Sequence, residues 1–293
     1  RNIGIFFSET DNFLYTPWTS KAGLLDELWV PNSQMIQACW ASGLKGKDIK
    51  VVEPALDTSK YEQSYEKLDY LVDALSGNFA FYFIADLNKR KNLVGLLEAF
   101  HTEFTTNEPV SLVVKLAKYG ATPQQIADEF QGIARVVKEN IKLYPRVDDY
   151  KPEILIPGYL SETDIYRLHT TCHCLVAPSF GEAWGLPILD AMGLGNVVIA
   201  SNVGGPADYI EDGKNGFLVK TSLTMCGGMT EQFPFLFTGH ESWWKPDSGE
   251  LKRKMREAYA LSSGKRKEMT KRALSTVYNY SYDNFINKVK DIL

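Results

Sequence analysis

Cysteine is scarce in this chain of 293 residues, and the four present, Cys39, Cys172, Cys174 and Cys226, show no paired metal-ligand spacing. That disfavours a secreted disulfide framework and fits a reducing cytoplasm. Basic charge is not in excess either. The 32 Lys and Arg stand against 36 Asp and Glu, and they are dispersed apart from short clusters such as Lys89-Arg90-Lys91 and Lys265-Arg266-Lys267. A protein that grips nucleic-acid phosphates carries the opposite balance on one face, so nucleic acid is not an expected partner. Long apolar runs are missing: none approaches the roughly 18 residues of a membrane span, and the opening residues do not read as a secretory signal. No transmembrane segment is therefore expected, while peripheral contact with a membrane surface stays open.

What is present is a composition of 44% apolar and 23% charged residues, that of a folded globular protein with chain enough for one large or two modest domains. From residue 79 onward, short apolar runs alternate with amphipathic ones. Strands are expected at 79–85, 110–116, 154–157, 174–177, 197–200 and 216–219, with helices at about 92–106, 122–143, 161–170, 186–194 and 206–211. Continuous apolar strands, each followed by a helix, predict a parallel sheet covered on both faces, which binds ligands at the carboxyl ends of its strands. Ser161 with Asp164 reads as a capping box with the shorter acid, and Pro187 with Gly195 brackets a helix.

The first 53 residues add strands at about 2–7, 27–30 and 50–53 and a helix near 33–42 capped by Asn32 or Ser33, about half of another α/β domain. A charged connector at 57–78 includes one helix. An irregular, aromatic-rich stretch at 221–246 precedes a helical tail from 247 to 293.

Chemistry concentrates where the run 174–177 ends: Ala177-Pro178-Ser179-Phe180-Gly181-Glu182-Ala183-Trp184-Gly185-Leu186-Pro187-Ile188-Leu189-Asp190-Ala191-Met192. A strand gives way to a glycine-containing loop and then to a helix near Leu186. The amides of Gly185 and Leu186 lack intrahelical partners there and suit an anion such as a phosphate. Glu182 and Asp190, eight positions apart, offer carboxylates at two points along a ligand, as the sugar and ribose hydroxyls of a sugar nucleotide would require.

This pattern resembles the retaining glycosyltransferases of family 4, with their motif of two acids around a Gly-Leu-Pro turn. The resemblance extends over Ile3 to Asp11 with Trp18, the segment 26–33, Lys91-Asn92-Leu93 and the helix that follows, Gly204-Gly205, and Gly216-Phe217-Leu218-Val219. It implies a GT-B-like α/β fold: a complete C-terminal Rossmann-like donor domain, with a parallel sheet and helices on both faces, and a partial N-terminal Rossmann-like domain. The expected divisions are 1–75 for the acceptor-side domain and connector, 76–276 for the donor domain, and 277–293 for a helix returning to the N-terminal domain. Two full domains of roughly 150 residues each would need about a hundred more residues, so an acceptor-side portion preceding Arg1 is expected to be absent.

The resemblance further implies roles. Glu182 and Lys91 are the expected catalytic residues, the first at the transferred sugar and the second at the leaving diphosphate. Arg90, Lys115, Tyr159, Gly185, Leu186 and Asp190 are expected at the donor, a UDP- or GDP-type sugar, with no metal or other cofactor. Glu9 and Asp11 are weaker acceptor-side candidates, where loop capping is an equal explanation.

Departures from the pattern are informative. Asp86 stands at the family's arginine position, five residues before Lys91, so it must turn away or be compensated, with Arg90 and Lys115 the candidates. Asp190 and Asp208 stand where Glu is usual and lose a methylene of reach. His169, Cys172, His173 and Cys174 span a helix end and a strand start, so their side chains diverge and no metal site is expected. Trp243 and Trp244 read as packing for the long connection. The expected activity is that of a retaining, hexosyltransferase-like enzyme moving sugar to a glycan or other hydroxyl acceptor. The alternatives are a non-catalytic sugar-nucleotide-binding module and a GT-B-like epimerase.

Overall fold

The computed structural model describes residues 1–229, 233 and 235–293; residues 230–232 and 234, within the stretch read as irregular, lie outside the described residues. In the N-terminal part, β1 (Ile3–Ile5), β2 (Glu27–Val30) and β3 (Asp48–Val51) form a parallel sheet in that order. The crossovers carry α1 (Pro17–Gly23), which the sequence reading missed, and α2 (Ser33–Ala41). Asn32 caps α2, its side chain accepting from the Met35 amide. A connector follows, with a 3-10 turn at Thr58–Glu62 and α3 (Asp69–Leu75).

The larger part alternates as expected: β4 (Phe79–Asp86), α4 (Leu93–Glu103), β5 (Val110–Ala117), α5 (Pro123–Ile141), β6 (Ile154–Pro157) and α6 (Glu162–Thr171). Then come β7 (Cys174–Ala177), α7 (Leu186–Gly193), β8 (Val197–Ser201), α8 (Gly205–Tyr209) and β9 (Phe217–Val219). The six strands are parallel in the order β6-β5-β4-β7-β8-β9. Both faces are covered because side chains alternate: Phe79, Phe81 and Phe83 enter one core, Ala80 and Tyr82 the other.

The stretch expected to be irregular holds a hairpin instead, β10 (Thr221–Met225) against β11 (Ser242–Pro246) in antiparallel register. It is anchored by Trp243, fully buried and stacked on Phe180 at 4.8 Å between ring centroids. The tail forms α9 (Ser248–Ala260), α10 (Ser263–Tyr278) and α11 (Tyr282–Ile292). It meets the connector side where Leu56 bridges Ser281 and Lys288 pairs with Glu53. No helix among the described residues is long and apolar enough to cross a membrane.

Candidate active site

Strand order decides where a ligand fits. From β4 the chain steps outward to β5 and β6, then returns to the opposite side of β4 as β7. The crevice outside the carboxyl ends of β4 and β7 is therefore a topological switch point, the usual ligand site of an open parallel sheet. Arg90 and Lys91 follow β4, and Glu182 follows β7, so the two loops bring them together although they lie some ninety positions apart.

The Lys91 ammonium sits 2.6 Å from Glu182 Oε2, and Arg90 approaches the same oxygen at 3.8 Å. Arg90 also donates to the Gly181 carbonyl at 2.8 Å and lies 3.5 Å from Glu9 Oε1. Burial alone would raise the Glu182 carboxyl, but the Lys91 and Arg90 charges outweigh it and hold the group below the ordinary carboxylate range. Lys91 and Glu182 thus hold each other, and a phosphate or sugar hydroxyl engaging either exchanges with that ion pair.

The loop's shape explains its glycines. Gly185 caps α7 with φ 84°, and a Cβ there would come 2.9 Å from the Tyr209 hydroxyl. A Cβ on Gly204 would fall 1.6 Å from the Glu182 carbonyl oxygen, so the β8–α8 turn can press against this loop only without a side chain. Leu186, at the first turn of α7, is 51% exposed, leaving that helix end open to an anion.

The other expected site residues lie in varied surroundings. Asp190 does not stand free for a ribose: its Oδ1 accepts from the Tyr61 hydroxyl and pairs with Lys60, each at 2.7 Å, both from the connector turn. The shortened side chain is met by the connector, which packs so closely that a Cβ on Gly193 would strike the Tyr61 ring. Lys115 is 4% exposed and donates to the Gly158 carbonyl at 2.6 Å. Burial lowers its pKa against the opposing pull of Asp86, which is exposed at the end of β4. Tyr159 is 68% exposed in the loop after β6. Asp11 serves the hairpin: its amide donates to the Ser242 carbonyl at 2.9 Å, and its Oδ1 accepts from the Ser242 amide at 2.7 Å. Asp208 receives the amide and hydroxyl of Ser33 at the start of α2.

Sequence reasoning missed how α2 closes the site. Asn32, 1% exposed, donates to the Ala183 carbonyl at 2.6 Å, and the Gly204 amide donates to Gln34. The only legible sign was a cap residue before α2, which says nothing of a partner 151 positions away. Trp243 and Trp244 both pack on the hairpin's apolar cluster, as expected, and Trp244 also walls, with Glu9, Asn32 and Gln34, a cavity of about 10 Å³ beside Glu182, room for about one water. His169 and His173 turn apart: one meets the Tyr82 hydroxyl, and the other accepts from the Ala80 amide.

Residues 73–225 match the profile of "Glycosyl transferases group 1". Sucrose synthase 5 of Oryza sativa subsp. japonica is 29% identical over 184 residues, covering 60% of this chain and 20% of that protein. This chain thus matches about a fifth of the length of such curated relatives. Among solved structures, a glycosyltransferase from Rickettsia africae superposes with a TM-score of 0.69 at 15% identity, over 99% of this chain and 69% of that one. HepE from Anabaena, solved in complex with UDP and glucose, superposes with a TM-score of 0.65 at 15% identity, over 92% and 63% of the two chains.

Proposed function

The chain belongs to the family of glycosyl transferases group 1, and from that premise we propose that its switch-point site moves a sugar from a nucleotide-diphosphate donor to an acceptor hydroxyl with retention of configuration. The observation that carries the reading is the Lys91–Glu182 pair, backed by Arg90, beside the open start of α7. On donor binding, Lys91 exchanges Glu182 for the diphosphate, and the Gly185 and Leu186 amides point at the same anion. As the sugar–phosphate bond lengthens, these donors meet the growing negative charge, and one such donor is worth about 10²–10³ in rate. Glu182, released from Lys91, accepts from the sugar hydroxyls and faces the positive charge developing on the ring. The acceptor enters on the departing phosphate's face, which retains the configuration. Charge stabilisation by side chains and amides replaces a metal in this scheme. Four buried, unpaired thiols support a reducing, cytoplasmic setting.

A second reading, a binding module without turnover, is favoured by the hold of Lys60 and Tyr61 on Asp190. Calorimetry with UDP-glucose, the donor suggested by the HepE complex, followed by a UDP-release assay, separates the two. Binding with release that Glu182→Ala abolishes in a folded protein supports the transferase. Binding without release supports the module, and absence of binding across UDP-, GDP- and ADP-sugars overturns both.

A further inference from the structure

Behind the loop that carries Lys91 lies a second cavity, of about 560 Å³, bounded by Phe180 but not by Glu182. Its size falls within the range of roughly 300–1,000 Å³ typical of small-molecule sites. Leu87, Leu93, Ile133 and Leu251 give it an apolar floor, and two ammonium groups stand in its wall, Lys89 from the turn after β4 and Lys245 from β11. The Lys89 stem lies directly over Gly228, where a Cβ would come 2.9 Å from its Cδ, so the hairpin sets where this lysine runs. Of the two carboxylates in the wall, Glu129 is already paired with Lys118 at 2.6 Å. That leaves Glu98 against two cations, a positive balance over an apolar floor.

The wall is shared with the catalytic loops. Lys89 belongs to the same 3-10 turn as Arg90 and Lys91, Lys89–Lys91, and the Asn88 side chain accepts from the Lys91 amide. The Phe180 amide donates to the Arg90 carbonyl at 2.8 Å, and its own carbonyl accepts from the Trp244 amide at 2.7 Å. β11 therefore serves both cavities, with Trp244 beside Glu182 and Lys245 in the second.

We propose that this cavity is a second ligand site for a small amphipathic anion, an apolar body with one carboxylate or phosphate head, and that its occupation is coupled to donor binding at the Glu182 site. The apolar floor favours a hydrocarbon or aromatic body, and ammonium groups, which only donate, favour an anionic head. The coupling rests on the function proposed above; the site itself does not. A ligand that draws on Lys89 acts on the turn that sets Lys91, and the effect is reciprocal by linkage.

Octanoate, octanol and octylamine, titrated calorimetrically into the protein, test this. Octanoate is expected to bind one to one and about tenfold more tightly than the other two. Lys89→Ala with Lys245→Ala should erase that preference, and Val94→Trp, a residue in the cavity wall, should block all three probes. Circular dichroism checks that each variant folds, and the double lysine variant decides if the tryptophan does not. No octanoate binding, or binding indifferent to the folded variants, overturns the site. UDP titrated with and without saturating octanoate should show an affinity change of at least about threefold, mirrored in the octanoate affinity. Octanoate binding with no binding of UDP, GDP or ADP refutes the transferase reading and leaves the site standing. Octanoate and UDP binding with no mutual change overturns the coupling.

Discussion

Replacing Glu182 by glutamine keeps the side chain's volume and removes its charge, and the structure predicts opposite effects on turnover and on product binding. A hydrogen bond to a charged group is worth about 1.5–3 kcal/mol. At about 1.4 kcal/mol per tenfold, losing it from the transition state lowers kcat/KM by between about tenfold and about 150-fold. Product binding moves the other way, because Lys91 spends the resting state 2.6 Å from Glu182 Oε2. The two side chains are 17% and 13% exposed, and we set the worth of the pair at about 1 kcal/mol, the upper end for partly solvated pairs. Freeing Lys91 should then tighten UDP binding about fivefold. Arg90 keeps its bond to the Gly181 carbonyl, so the melting temperature should move little. UDP-release kinetics, calorimetry with UDP and a thermal melt read the three quantities. Unchanged turnover, or weaker UDP binding in a folded variant, would refute the exchange of Lys91 between Glu182 and diphosphate.

Other positions make separate tests. Lys60→Ala with Tyr61→Phe frees Asp190 Oδ1 and should tighten binding of UDP-glucose in calorimetry, where unchanged affinity argues that Asp190 does not meet the donor. Gly204→Ala puts a methyl 1.6 Å from the Glu182 carbonyl oxygen and should destabilise the fold by about 3 kcal/mol, the upper end for overpacking, as read by urea unfolding. Glu153, buried between His101 and Lys138, is shifted upward by burial but held below the ordinary glutamate range by those two partners. With its folded pKa below the unfolded value, its contribution is fully present above the unfolded pKa and is lost as pH falls through the folded one. Glu153→Gln should therefore destabilise the protein at neutral pH, by about 3–5 kcal/mol for a broken buried pair, and flatten the acid limb of its stability curve. An acid limb unchanged by the substitution would contradict this.

The parallel α/β sheet was legible because its strands are continuous apolar runs with punctuated helices between them; its GT-B-like arrangement was implied by the family resemblance, and the loops at 90–91 and 182–186 sit where those runs end. The partners of these residues were not legible. Asp190 stands at the motif's second acid position, yet what holds it, Lys60 and Tyr61, comes from a charged connector more than a hundred positions away. A lone lysine in an apolar run is usually exposed, whereas here the loop carbonyl of Gly158 closes over Lys115. The hairpin at 221–246 escaped because β10 is largely exposed, and its anchor, Trp243 on Phe180, joins distant segments. Periodicity reports which side of an element is buried, not what buries it.

The central claim is a sugar transfer with retention at the switch point of β4 and β7, and proton NMR of the reaction with UDP-glucose tests it most directly. The first-formed sugar product should carry the α configuration of the donor, appear in step with UDP release and vanish in Glu182→Ala. A β product, or UDP release that persists unchanged in that variant, would contradict the account.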